Sequence, residues 1–368
     1  MKILFVTRQL NGVMGGLERQ IMMISHHLAR QNLEITIVSL EKGVGEPFFS
    51  EFVKGVKLKS IIAGDPSQAA NFKIRFSRQI QFLRILKEVG PDVVVTFMIG
   101  SLIFAKPLAF LFRIPVVLSE RNSPDIYRLT SAKKFRWLYF LLISSAHRIT
   151  VQFPSYGEKY PTFMRRKIVS IPNQVLKVSG KKLSPKNNEV VFGYAGRFSF
   201  QKRIDLLIQS YSKLQRDFPD TKLLIFGYGE QKEYLERIVL DLNLSNNVEF
   251  REERTEISDA FDEIDVFCLF SLWEGFPNVL AEALAYGIPS VGFSSCDGVN
   301  DLIQDGINGW KIPFDDPIQS GHQLLARAYQ GFKLQEVSKE SCQESVSKYS
   351  SENIYGLWRN LLAEVSRQ

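Results

Sequence analysis

Glu274 and Glu282 are separated by Gly-Phe-Pro-Asn-Val-Leu-Ala, residues 275–281. One carboxylate precedes a Gly275-Phe276-Pro277 turn, and the other lies one turn inside the helix that follows. At the start of that helix the amides of Asn278 and Val279 point outward, where a phosphate binds favourably. Two acceptors for sugar hydroxyls flanking a phosphate-binding helix end suit a nucleotide sugar. A Glu in a mid-length helix is more often simply solvated. The glycine- and aromatic-rich loop ahead of Glu282 tips the balance toward function.

Cations stand upstream of this pair. The run Gly193-Tyr-Ala-Gly196-Arg197 ends a strand, and Lys202 follows at a helix start. Arg197 with its bidentate fork and Lys202 as a point charge can reach one diphosphate, although bases after a strand are also ordinary surface residues. Phe226-Gly227-Tyr228-Gly229-Glu230 is a second glycine turn at the same sheet edge, open to a purely structural reading. No Asp-x-Asp stands at a strand end, so a divalent ion bridging the diphosphate is not indicated and no metal site is expected. The cationic role then passes to Arg197 and Lys202.

The first half carries weaker signals. Gly12-Val-Met-Gly15-Gly16 sits between a strand and a helix but lacks the G-x-G-x-x-G spacing of a dinucleotide site. Glu41, after the second strand, imitates a ribose-binding acid and keeps a dehydrogenase reading open. Ser119-Glu120-Arg121-Asn122 adds polar groups at another strand end. His26, His27, His147 and His322 have no ligand-like or triad companions. Asp297–Asp301 and Asn308–Trp310 read as turns.

Two series of strands and helices must position these residues. The first runs through strands at Lys2–Thr7, Glu34–Leu40, Val56–Ile62, Asp92–Phe97, Val116–Ser119 and Arg148–Gln152, with helices at Leu17–Arg30, Ile74–Lys87 and Lys133–Ser145. A polar, turn-rich linker at 177–189 divides the chain into domains at 1–176 and 190–351. The second series alternates strands Val190–Tyr194, Lys222–Phe226, Asn247–Phe250, Val266–Phe270 and Ser290–Phe293 with helices Ile204–Asp217, Gln231–Asp241, Ile257–Asp262 and Asn278–Tyr286. Helices at Gln319–Tyr329, Ser338–Tyr349 and Glu352–Val365 close the chain. Short uninterrupted apolar runs fit parallel sheets covered on both faces, with ligands at the carboxyl ends of the strands.

The 368 residues suffice for two domains. Three scattered cysteines form neither a disulfide framework nor a metal pattern and fit a reducing cytoplasm. Apolar runs fall far short of the roughly 18 residues of a spanning helix. The net charge of +7 hides an asymmetry. Residues 1–185 carry 28 Lys and Arg against 11 Asp and Glu; the remainder carries 18 against 28. A basic first half suits an anionic surface or substrate, or is a solvated face. Its segments Phe72–Arg84 and Lys133–Tyr139 interleave bases with aromatics and aliphatics, a pattern for an anionic membrane interface and equally for amphipathic helices packed on a sheet. No nucleic-acid recognition motif accompanies them.

Taken together, Gly196-Arg197 with Lys202, Gly227-Tyr228-Gly-Glu, and Glu274 with Glu282, in that order, resemble the retaining family-4 glycosyltransferases (group 1) of the GT-B fold. The resemblance spans essentially the whole chain and is strongest from Gly193 to Pro313. It implies an α/β protein of two Rossmann-like βα domains facing a central cleft, with the last helix, 352–368, crossing back to the first. It further implies that Arg197 and Lys202 hold the donor diphosphate, Glu274 the transferred sugar and Glu282 the ribose. The Gly15-Gly16 loop would approach the donor phosphates or the acceptor. Gly196, Gly227, Tyr228, Phe276, Pro277, Asn278 and Val279 complete the donor site. Glu120, Arg121 and Asn122 fall near the reacting centre, with Arg121-Asn122 resembling members that act on polysaccharide, lipopolysaccharide or lipid-linked acceptors. The expected activity is metal-independent hexosyl or N-acetylhexosaminyl transfer from a nucleotide sugar, by family preference a UDP-sugar, without a separate cofactor. The expected location is cytoplasmic and peripheral on the inner face of the membrane. Arg251-Glu-Glu-Arg254 and Ser295–Asn300 depart from the family pattern, the former where base contacts would lie. A GT-B nucleotide-sugar epimerase, a dehydrogenase and a non-catalytic nucleotide-sugar binder are the competing readings.

Overall fold

The computed structural model describes residues 1–11, 15–41, 49–61, 72–176, 189–252 and 257–367. The expected linker, except Glu189, the glycine turn at 12–14 and Glu253–Arg254 lie outside these residues. The chain forms two compact units: Met1–Gln174 with Glu352–Gln368, and Val175–Ser351.

The first unit opens with β1 (Lys2–Thr7), α1 (Gly16–Arg30), β2 (Glu34–Ser39) and β3 (Val56–Ser60). It continues through α2 (Phe72–Val89), β4 (Val93–Phe97), α3 (Met98–Leu111) and β5 (Val116–Ser119). Short α4 (Ile126–Leu129), α5 (Arg136–Ser144), β6 (Arg148–Val151), α6 (Pro154–Glu158), α7 (Thr162–Arg165) and β7 (Ile168–Ser170) follow. The sheet is parallel, in the order β3-β2-β1-β4-β5-β6-β7. Its central strands are buried along almost their whole length, which is why they read as continuous apolar runs rather than alternations.

The second unit runs β8 (Val190–Ala195), α8 (Ile204–Asp217), β9 (Thr221–Phe226), α9 (Lys232–Asp241), β10 (Val248–Arg251), α10 (Ile257–Phe261) and β11 (Val266–Leu269). Then come α11 (Asn278–Tyr286), β12 (Ser290–Phe293), α12 (Asp297–Leu302), β13 (Gly309–Ile312), α13 (Pro317–Lys333) and α14 (Lys339–Val346). Its parallel sheet has the order β10-β9-β8-β11-β12-β13. The last helix, α15 (Ser351–Val365), lies almost wholly in the first unit. There it buries Ile354, Trp358, Leu361 and Leu362, stacks Tyr355 on His27 and pairs Glu364 with Arg148.

Several sequence expectations need correction. Asp297–Asp301 is the helix α12 rather than a turn, and Gly309-Trp310 begins β13. Asn308 makes the actual turn: its side chain accepts from Gln304 N at 2.7 Å and donates to Leu302 O at 2.9 Å. The stretch expected as one helix at Lys133–Ser145 is a 3-10 turn at Ser131–Phe135 followed by α5. Likewise Ser338–Tyr349 divides into α14 and a 3-10 turn at Ser347–Tyr349. Helix α3 was not expected because it is apolar on nearly every face and holds Pro107, so no 3.6-residue period stands out. The three-residue β7 is too short to signal itself.

Candidate functional site

Strand order reverses between β8 and β11, and ligand crevices of open parallel sheets form outside the carboxyl ends of strands at such a point. The β8 loop carries Arg197 and Lys202; the β11 loop carries Glu274. Gln201 stitches the two together. Leu272 N donates to Gln201 O at 2.9 Å, and Gln201 Nε2 donates to Trp273 O at 2.5 Å. Lys202 Nζ thereby comes to 2.6 Å from Glu274 Oε1. The Glu274 side chain is only 7% exposed and that of Lys202 23%, so each charge largely offsets the desolvation of the other. Arg203 turns the chain from this loop into α8 in the left-handed region at φ 50°, its guanidinium held by Asp205.

A neighbouring loop braces the β8 loop. Gly196 N donates to Phe226 O at 3.0 Å, and Phe198 N to Tyr228 O at 2.7 Å. At Gly227 the backbone has φ +139°, and a Cβ would stand 2.0 Å from Gly196 O; at Gly229 it would stand 2.3 Å from Phe198 O. These glycines answer first to the backbone of the adjacent loop, which gives the turn reading a specific cause. Tyr194 OH donates to Arg197 O at 3.0 Å from within the sheet. Burial, reinforced by the Glu274 charge, keeps that phenol protonated far above the usual range. Arg197 itself is exposed, its Nη2 3.6 Å from Glu230 Oε2. The structure thus joins Lys202 to Glu274 and leaves Arg197 with the outer loop.

Helix α11 begins at Asn278, with Pro277 as N-cap, a residue whose side chain makes no cap hydrogen bond. Phe276 packs edge-on against Tyr349, with centroids 5.5 Å apart. Glu282, one turn along, is 4% exposed, not the solvated helical Glu of the alternative reading. Gly287, at φ +101°, ends the helix. Arg251 is committed elsewhere: it pairs with Glu249 and Glu263 and covers the Phe226 ring.

In the first unit the residues after β5 form a buried polar cluster. Glu120 is 1% exposed and accepts from Tyr127 OH at 2.7 Å, while Gln152 Nε2 donates to its main-chain oxygen at 2.9 Å. Burial raises the Glu120 carboxyl above its ordinary value of 4.5. Arg121 Nη1 donates to Asn173 Oδ1 at 2.7 Å, and its guanidinium lies 5.5 Å from the Trp358 ring of α15 and 6.0 Å from Phe97. Burial lowers the Arg121 pKa to about 10. Asn122 is half-buried beside Met98, whose positive φ of 67° begins α3 without a loop. Gly15 is the N-cap of α1, accepting from Arg19 N, and Gly16 is its exposed first residue. Glu41 accepts from Arg8 at 3.1 Å. Sequence reasoning missed Gln201, Asn173 and Trp358, whose contacts are distant in sequence, and Tyr194 and Tyr127, whose bonds to Arg197 O and Glu120 are formed inside short segments that carry no pattern. Among the described residues no group of three His, Cys, Asp or Glu side chains could hold a metal ion.

Residues 14–175 match the family model described as Glycosyltransferase Family 4, and residues 178–337 the one described as Glycosyl transferases group 1. The chain belongs to the group 1, family 4 glycosyltransferases. The second match contains Arg197, Lys202, Glu274 and Glu282; the first contains Gly15, Gly16 and Glu120–Asn122. One relative of this glycosyltransferase is the Campylobacter jejuni GalNAc-alpha-(1->4)-GalNAc-alpha-(1->3)-diNAcBac-PP-undecaprenol alpha-1,4-N-acetyl-D-galactosaminyltransferase, 25% identical over 99% of both chains. Another is the Salmonella typhimurium lipopolysaccharide 1,6-galactosyltransferase, 24% identical over 84% of both. The fold is GT-B. The apo lipopolysaccharide outer core galactosyltransferase WaaB superposes with a TM-score of 0.79 over 99% of both chains at 20% identity. Anabaena Alr3699/HepE in complex with UDP and glucose gives 0.77 over 99% of this chain and 100% of that one at 17% identity. Membership in this family sets aside the dehydrogenase reading of the glycine turn.

Proposed function

We propose that this glycosyltransferase moves a hexose or N-acetylhexosamine from a nucleotide sugar, a UDP-sugar by preference, to a lipid-linked, lipopolysaccharide or polysaccharide acceptor, with retention of configuration. The Lys202–Glu274 pair at the β8/β11 reversal carries this reading. Lys202 and Arg197 hold the donor diphosphate, the α11 amides at Asn278 and Val279 receive phosphate oxygen, Glu274 accepts from hydroxyls of the transferred sugar, and Glu282 from the ribose. Gly196, Gly227, Tyr228, Phe276 and Pro277 shape the surrounding loops, and the Gly15-Gly16 turn serves the phosphates or acceptor. Of the three residues after β5, Asn122 faces the acceptor, framed by the buried Glu120 and Arg121.

The acceptor hydroxyl oxygen forms the new bond to the anomeric carbon on the face from which the diphosphate leaves. The bond from that carbon to the phosphate oxygen breaks, and the hydroxyl proton passes to a donor phosphate oxygen. The chain supplies charge stabilisation and orientation. No side-chain nucleophile, separate cofactor or divalent ion is called for. The substrates of the two relatives, an undecaprenol-linked glycan and lipopolysaccharide, support the acceptor class and a peripheral site of action at the cytoplasmic membrane. The experiment is a thermal-shift screen of UDP-, GDP- and ADP-sugars, followed by NMR of the product's anomeric configuration. A bound donor at a hundredfold its Kd stabilises by about 2.7 kcal/mol. No stabilisation by any nucleotide sugar refutes the donor assignment, and an inverted product refutes retention.

A further inference from the structure

We propose that the outer face of the α2–α3–α5 layer is an in-plane docking surface for an anionic lipid bilayer, placing α5 and the end of α3 in the headgroup region. The inference deepens the lipid-borne acceptor reading and takes its setting from it, while the surface itself is argued from topology, exposure and charge.

The connections β3 to β4, β4 to β5 and β5 to β6 all cross the first unit's sheet in one direction. Right-handed crossovers therefore put α2, α3 and α5 on one face. The Phe82 and Phe104 rings meet at 5.2 Å, and Gln79 Nε2 donates to Phe104 O at 3.2 Å, joining α2 to α3. Helices α3 and α5 are also in contact.

Each helix carries two apolar stripes, one turned inward and one outward. In α2, Phe82 and Leu86 are buried while Phe72, Phe76 and Ile80, spaced by four, are exposed. In α3, Leu102, Ala105 and Ala109 are buried, and Ile103 and Phe110 are exposed, with Leu111 and Phe112 beyond them. In α5, Phe140 and Ile143 are buried, and Trp137, Leu138 and Leu141 are exposed. Twelve of the 21 large apolar side chains exposed among the described residues lie between Phe72 and Leu141. That clustering marks an interaction surface rather than the scattered exposure of an ordinary fold.

Charge selects the partner. Exposed cations on the same layer and its flanking turns are Lys73, Arg75, Arg84 and Lys87 around α2, and Arg113, Lys133, Lys134 and Arg136 around α3 and α5. The exposed acid within these helices is Glu88, which accepts from Lys59 at 2.6 Å. Arg136 lies 5.9 Å from the Trp137 ring, a cation beside an indole as at a membrane–water boundary. A protein partner would have to be both acidic and apolar over the same span; an anionic bilayer is both by construction. No helix among the described residues is long and apolar enough to cross a membrane, so the contact lies in the plane of the interface.

Vesicles with phosphatidylglycerol, and others of phosphatidylcholine alone, test this with the full chain. Binding is expected to the anionic vesicles at about 0.01 M salt and to be lost at about 1 M, where charges are screened beyond about 3 Å. Replacing Arg113, Lys133, Lys134 and Arg136 with Gln should weaken it more than a hundredfold, at about fivefold per cation. Brominated lipid in the vesicles should quench Trp137 fluorescence; Trp137→Phe should bind almost as well without that quenching. UDP-sugar binding without vesicles reports on the donor site alone. Absence of vesicle binding in a chain that still binds the nucleotide sugar overturns the docking surface and leaves the transferase reading standing. Equal binding to neutral vesicles, or binding without Trp137 quenching, overturns it too, as does lipid-free self-association through this face. Vesicle binding as expected with no nucleotide-sugar binding supports the surface and sinks the donor assignment instead.

Discussion

Replacing Lys202 and Arg197 separately by Ala should give different stability losses but similar losses of turnover. The Lys202 ammonium stands 2.6 Å from a carboxylate that is 7% exposed, so truncating it leaves a largely buried charge without its counter-ion. A fully buried pair would lose 3–5 kcal/mol and an exposed one at most about 1, so this partly buried pair should lose about 2–3 kcal/mol. The Arg197–Glu230 contact spans 3.6 Å between side chains 71% and 59% exposed. Solvent screens it, and its loss should change stability by no more than about 0.5 kcal/mol. On the proposed donor site both variants remove a preorganised cation from the leaving diphosphate, and each should then lose roughly a hundredfold to a thousandfold in kcat. Urea denaturation and steady-state transfer at saturating donor separate the two effects. Adding Glu274→Gln to Lys202→Ala should restore stability, because the stranded charge is gone, but not turnover. Wild-type turnover in that double variant would mean that Lys202 only neutralises Glu274, and wild-type turnover in Arg197→Ala would remove Arg197 from the donor site.

Gly227→Ala should destabilise by about 2–3 kcal/mol and weaken nucleotide binding, since its Cβ would meet Gly196 O at 2.0 Å on a backbone of positive φ. Denaturation and nucleotide titration check this against Gly356→Ala in α15, where a Cβ meets nothing within 4 Å and about 0.5–1 kcal/mol should be gained. Gln201→Ala removes the side-chain bond to Trp273 O and should lower stability by about 1 kcal/mol. It should lower kcat more than KM, because the Lys202 and Glu274 loops then lose their register; kinetics with an unchanged kcat would remove Gln201 from that role. Glu120 titrates above its ordinary 4.5 in the folded chain, so the folded state holds the proton longer than the unfolded one. Its contribution to stability is full below pH 4.5 and declines as pH rises through the raised value. Glu120→Gln, which can still accept from Tyr127 OH, should flatten that decline in denaturation measured across pH.

The βα alternation, the two-sheet organisation and the order of the glycine and charge motifs at strand ends were legible in the chain itself. Parallel strands buried on both faces must be apolar runs, and glycines and charges at their ends are local features that a sequence displays directly. Glu282 and the α11 start at Asn278 were legible for the same reason: turn, cap and helix are all within one short segment. Helix α3 was hidden by its own apolarity, and α12 by residues that favour turns as readily as helix starts. Only the tertiary structure decided that Lys202 faces Glu274, across 72 positions, while Arg197 remains outside with Glu230. The same holds for Gly227, whose need for glycine is set by the carbonyl of Gly196 in another loop. Asn173 and Trp358 likewise meet Arg121 only through strand order and the return of α15. Sequence records residue types and local periodicity. Which of them meet depends on sheet order and crossover handedness, because those alone bring distant loops to one edge.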